Sequence, residues 1–91
     1  MNHATALLHY EGEREAARIR AERAHDVNRR LVDQAVEAFK AGERVRGNRL
    51  ARAAVRCRAI ARFWDACAHA NQRRLDHIAD VLLSSAPRGV A

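Results

Sequence analysis

The chain has 91 residues, a formal charge of +6 and a pI of about 10.9, and its length suits a single domain. Apolar residues make up 48% of it, but twenty of them are alanine, which buries little surface, so we expect a thin core. The N-terminal sequence lacks the features of a secretory signal, and no stretch approaches the roughly 18 apolar residues that span a bilayer. We therefore exclude a membrane-spanning protein and expect a cytoplasmic one.

Helix-forming residues dominate the composition, and the only proline is Pro87. The sequence therefore predicts an all-α protein. Residues 1–12 are expected to form an N-terminal segment or short helix, because Gly12 weakens helical structure by about 1 kcal/mol relative to alanine. The first long helix is predicted over residues 13–41.

The predicted connector between the two long helices is residues 42–47. Gly42 suits a helix C-terminus, and Asn48 suits the N-cap of a second long helix, residues 48–85. A short tail, residues 86–91, follows. Connectors this short join antiparallel neighbours, so the prediction is a long antiparallel helical hairpin.

The second helix has an apolar stripe that occupies about three positions in seven, wider than a two-stranded coiled-coil seam. One partner helix cannot cover such a stripe, so we expect a homodimer that forms a four-helix bundle. The alternative is a monomer in which residues 1–12 fold back as a third helix. The predicted dimer core is Leu50, Cys57, Ile60, Trp64, Asn71, Leu75, Ile78 and Leu82.

Asn71 is the polar residue within this stripe. A buried asparagine needs a hydrogen-bond partner and can fix the register of a helical assembly. Asn28, on the corresponding face of the first helix, is the expected partner. Alternatively, Asn71 lies near a fraying helix end and contacts water.

An outer band of the second helix interleaves arginine with small residues and one aromatic residue. Arginine and aromatic side chains are typical hot spots of protein interfaces. This band therefore predicts a binding site for a protein partner, unless it packs on the N-terminal segment instead. The residues expected to bind the partner are Arg52, Arg56, Phe63 and Arg73.

The positive charge is concentrated in the second half of the chain. Residues 1–46 carry nine basic residues against eight acidic ones, whereas residues 47–91 carry eight against three. Five arginines follow one another without an acidic residue between them, three on one edge of the stripe and two on the other. They predict, as the alternative function, RNA or DNA binding through phosphates, although they could also form a solvated surface. They are Arg49, Arg52, Arg56, Arg58 and Arg62.

No pattern for catalysis, a metal or a cofactor is present, and no small-molecule substrate is expected. Cys57 and Cys67 are about 15 Å apart along one helix, too far for a disulfide within the chain. Asp65 and His69 should point away from Cys67, so no metal site is predicted there. The chain also lacks a glycine-rich phosphate loop.

The predicted topology resembles the small helical-hairpin dimers of the plasmid Rop type, which bind RNA through helix faces. The resemblance covers topology only, because no motif matches residue by residue, and phage regulators, anti-CRISPR proteins and secretion adaptors share this form. We therefore expect a small non-enzymatic α-helical protein-protein interaction or regulatory module that acts as a dimer. The alternative is an RNA- or DNA-binding helical-hairpin regulator.

Overall fold

The computed structural model describes residues 2–85, which form two long helices packed against each other. Helix α1 spans His3–Lys40 and helix α2 spans Arg44–Ser84. Together they form a rod of 72 × 25 × 13 Å, and no strand occurs between residues 2 and 85. The predicted all-α helical hairpin is confirmed.

Helix α1 begins earlier than predicted and runs through Gly12 without a break. The side chain of Asn2 caps it, accepting a hydrogen bond of 2.7 Å from the Thr5 backbone N–H. Tyr10 and Arg14, on either side of Gly12, both contact α2, and these contacts offset the small helix penalty of one glycine. The predicted break is therefore wrong.

The same observation removes the three-helix alternative. Residues 3–12 continue the axis of α1 and lie beside the C-terminal half of α2. They do not fold back over the hairpin. They line a pocket with Arg73 at the C-terminal end of the outer band, but they do not cover Phe63, which is 57% exposed.

The connector is shorter than predicted, because α2 begins at Arg44. Gly42 adopts a φ of +78°, the left-handed conformation that glycine tolerates best, and ends α1 as expected. Asn48 lies within α2, so its predicted role as N-cap is wrong. Glu43 occupies the cap position without a side-chain hydrogen bond.

Gly47 explains how the first turn of α2 can approach α1 so closely. It is buried, and a Cβ atom at this position would lie 2.7–2.9 Å from three ring atoms of Phe39. The absence of a side chain at Gly47 therefore leaves room for the Phe39 ring beside the helix crossing.

The core between the helices consists of alanine. Six alanines are at most 5% exposed, and Ala61 is completely buried. No larger side chain within residues 2–85 is fully buried. Small side chains let two helices approach closely but remove little apolar area from water. We call this contact the alanine seam; its members are Ala17, Ala21, Ala35, Ala38, Ala54 and Ala61.

Asn28 and Asn71 do not pair with each other, so that prediction is wrong. The side chain of Asn28 donates to the Ala54 carbonyl oxygen at 2.7 Å, across the helix pair. Asn71 is 8% exposed and donates to the Cys67 carbonyl oxygen within its own helix at 3.0 Å. The antiparallel register sets Asn28 at the level of Ala54, about 25 Å along α2 from Asn71.

Several charged side chains on the exposed surface of α1 form ion pairs with one another. The Arg18 guanidinium contacts both Glu15 and Glu22 at helical spacing. The hydrogen bond from Arg18 lowers the pKa of the Glu15 carboxyl and, in return, raises the pKa of Arg18. Such exposed pairs contribute little to stability.

Candidate functional site

Most of the large apolar side chains lie outside the alanine seam. On α2, Ile60 and Phe63 are 51% and 57% exposed, and Trp64 beside them is partly buried. The rings of Phe63 and Trp64 meet edge to face, with their centroids 5.0 Å apart. Ile60 and Trp64, with the partly buried Cys57 and Cys67, form a surface that we call the tryptophan face, and Phe63 borders it.

Helix α1 contributes the border of this face. The Arg20 guanidinium lies 4.7 Å from the centre of a Trp64 ring, in a cation–π contact. Val27 is seven residues further along α1, hence on the same side, and is 41% exposed. Trp64, predicted as a core residue, is thus covered by α1 on one side and open on the other.

The eight predicted dimer-core residues occupy three environments in the single chain. Asn71 is buried within it, and Ile60 and Leu82 are exposed. The exposed apolar surface that a second copy could cover is therefore centred on Ile60, beside the alanine seam. The other five are partly buried: Leu50, Cys57, Trp64, Leu75 and Ile78.

The opposite side of the hairpin has a second apolar surface, close to the connector. Val32, Val36 and Phe39 of α1 face Val55 and Arg58 of α2 across a groove of about 200 Å³. We call it the valine groove. Sequence reasoning missed this site, although the spacing of four and three residues between its α1 members places them on one helix face.

Polar contacts join the helices further along the same side. His25 Nε2 lies 2.9 Å from Asp65 Oδ2, and Arg14 donates to Gln72 Oε1 at 2.5 Å. Asp65 therefore pairs with His25 of α1. No sequence signal could have identified this pair, since it depends on the register of the two helices.

The predicted protein-binding residues are all exposed but do not form one cluster. Arg52 and Arg56 lie together with Arg49 on the outer surface of α2, a group that we call the arginine edge. Phe63, two turns beyond Arg56, borders the tryptophan face. Arg73 is about 25 Å further along α2 from Arg56, beside Tyr10 of α1.

The two remaining arginines lie away from the arginine edge. Arg58 lines the valine groove, and Arg62 lies one helical turn further along. None of the five arginines predicted to bind nucleic acid forms an ion pair with another residue in the range 2–85. The positive charge of these five arginines is therefore available to a partner, in contrast to that of Arg18 and Arg29 on α1.

No family model, no curated protein and no solved structure matches the chain. Between residues 2 and 85, no group of three or more histidine, cysteine, aspartate or glutamate side chains is placed to hold a metal ion. Neither of the two helices there has an apolar stretch long enough to cross a bilayer.

Proposed function

We propose that this protein is a non-enzymatic helical interaction module that acts as a dimer and binds a protein partner. The observation that carries the proposal is the distribution of apolar side chains. The alanine seam holds the hairpin together, whereas Ile60, Phe63 and Val55 are more than half exposed. Surfaces of this kind mark protein interaction sites.

The accessible area supports the same proposal. The chain exposes 6981 Å², whereas a compact monomer of 10.2 kDa exposes about 5,300 Å². The excess of about 1,700 Å² exceeds the roughly 800 Å² that each partner buries in a standard interface. Both thiols are free, which suits a reducing compartment such as the cytoplasm.

Dimerisation is tested by light scattering of the purified protein over a range of concentration and salt. We expect a molar mass of about twice 10.2 kDa that salt does not lower, because apolar contacts are not screened. Ile60→Asp should give a monomer, while Ala59→Asp, at the neighbouring exposed position, should not. A wild-type monomer at every concentration would contradict the dimer.

The surface for a protein partner is assigned to Arg52, Arg56 and Phe63, with Arg73 at its far end. Arginine and aromatic residues often dominate binding energy at such surfaces. Phe63→Ala should weaken binding to the partner at unchanged helical content, because its ring is 57% exposed. Phe39→Ala, which removes an exposed ring near the connector, is the matched control. Equal loss in both variants would contradict the assignment.

A second function, binding of RNA or DNA, is favoured by one observation, the lack of ion pairs at the five α2 arginines within residues 2–85. Contacts to phosphates release counterions, so affinity should fall steeply between about 50 and 200 mM salt. Fluorescence anisotropy with labelled duplex RNA and DNA measures this. Equal binding at both salt concentrations would reject nucleic acid as the partner.

A further inference from the structure

The bulky residues of the tryptophan face are spaced symmetrically along α2. Cys57, Ile60, Trp64 and Cys67 follow one another at intervals of three, four and three residues. The intervals are the same in both directions along the helix, and their midpoint is at the level of Arg62. A two-fold rotation about an axis at that level, perpendicular to the helix, therefore exchanges position 57 with 67 and position 60 with 64.

We propose that a second copy of the chain packs on this face with its α2 antiparallel, about a two-fold axis at the level of Arg62. Cys57 then faces Cys67 of the partner subunit, and Ile60 faces Trp64 of the partner subunit. The proposal rests on the proposed dimer and names its interface and orientation. A two-fold interface must be self-complementary, and the symmetric spacing provides that property.

The sizes of the facing residues favour this alignment. A partner helix moved by one heptad in one direction would set Ile60 against the buried Asn71, which donates to the Cys67 carbonyl oxygen of its own helix. Moved by one heptad in the other direction, it would set Ile60 against Cys57 and Trp64 against Ala53. The alignment about Arg62 sets the exposed Ile60 against Trp64, which removes the most apolar area from water.

The axial positions of the cysteines make the orientation measurable. Closely packed helix axes are about 8–10 Å apart, and each Cα atom lies about 2.3 Å from its axis. Facing residues therefore come within the Cα separation of about 4.4–6.8 Å that a disulfide needs. In the proposed dimer the two copies of Cys67 are about 15 Å apart along the axis, as are the two copies of Cys57.

The experiment is oxidation of the full chain with diamide, followed by a non-reducing gel. The two thiols lose two protons and two electrons to diamide, which becomes the hydrazine, and one S–S bond forms. We expect a covalent dimer from the wild type and none from Cys57→Ser or Cys67→Ser alone. An equal mixture of the two variants, unfolded and refolded together, should form the covalent dimer again.

This recovery in the mixture also proves that both variants fold and associate. A covalent dimer from either single variant would overturn the orientation, because it requires two identical cysteines to face each other. No covalent dimer from a wild type that light scattering shows to be dimeric would overturn the interface but leave the dimer standing. A monomer by light scattering would overturn this proposal and the dimer together.

Discussion

The alanine seam and the tryptophan face lie side by side on α2 but differ in the size and exposure of their residues. The seam contains the smallest apolar side chains, nearly all of them excluded from water, and Ala61 is 0% exposed. The tryptophan face contains much larger ones, and Ile60 on the face and Phe63 at its border remain more than half exposed. The hairpin thus closes through its small residues and presents its large ones.

This difference shows that a high apolar content need not produce a large core. Alanines allow close approach of the helices, but each removes little area from water, so much of the apolar surface stays available for association. Stability of the single chain should depend on the volume of the seam. Association should depend on the tryptophan face.

The largest effect is expected from enlarging a seam residue. Ala61→Leu inserts a bulky side chain where the helices touch and should lower the free energy of unfolding by about 3 kcal/mol. Ala59→Leu, an exposed position on the same helix, should change it by no more than about 0.5 kcal/mol. Urea unfolding followed by circular dichroism measures both. Similar values for the two variants would mean that the seam is not tightly packed.

Truncation of the tryptophan should have an intermediate effect. Trp64→Ala should cost about 2 kcal/mol, less than the 3–5 typical of an enclosed aromatic residue, because one side of Trp64 is open. The loss of unfolding free energy should grow with protein concentration if a second copy covers this face. Unfolding at two concentrations tests this, with Leu83→Ala as the exposed control. A loss independent of concentration would remove the face from the dimer interface.

Alanine substitutions at the two helical glycines should change the free energy of unfolding less, and differently at the two positions. Gly12→Ala should raise the free energy of unfolding by about 1 kcal/mol, because nothing lies near the added Cβ atom. Gly47→Ala should lack this gain, since the Phe39 ring must move. Combining Gly47→Ala with Phe39→Ala should recover the gain relative to Phe39→Ala alone. Thermal unfolding measures the stability of each variant. Equal gains in stability for Gly12→Ala and Gly47→Ala would contradict the close approach of Phe39 at Gly47.

The smallest effect is expected beside the seam, where Asp65 pairs with His25. Both side chains are more than one third exposed, so Asp65→Asn should cost about 0.5 kcal/mol or less, and salt should reduce that cost. Asp80→Asn, an exposed carboxylate further along α2, is the control. A loss above about 2 kcal/mol would show that the pair is shielded from solvent, as only buried pairs reach such values.

The sequence predicted the helical hairpin correctly, but not where its helices begin and end. Helix-forming residues and apolar periodicity identified two long helices. The break at Gly12 and the cap at Asn48 were inferred from local preferences of about 1 kcal/mol. Contacts with the facing helix outweigh such preferences, as Tyr10 and Arg14 show on either side of Gly12.

The candidate sites divide in a similar way. The exposure of Phe63 and the separation of Arg58 from the arginine edge followed from helical phase, which is a property of one helix. The valine groove, the His25–Asp65 pair and the true partner of Asn28 all depend on which residues lie opposite each other. A single helix contains no information on that register.

The sequence by itself determined that the chain forms two amphipathic helices, that α2 is basic, and that bulky apolar residues recur along one stripe of it. Only the tertiary structure decided which part of that stripe is used within the chain. Alanines fit the closest approach of two helices, and larger side chains do not. The tryptophan face is therefore left outside the seam, where we expect association to occur.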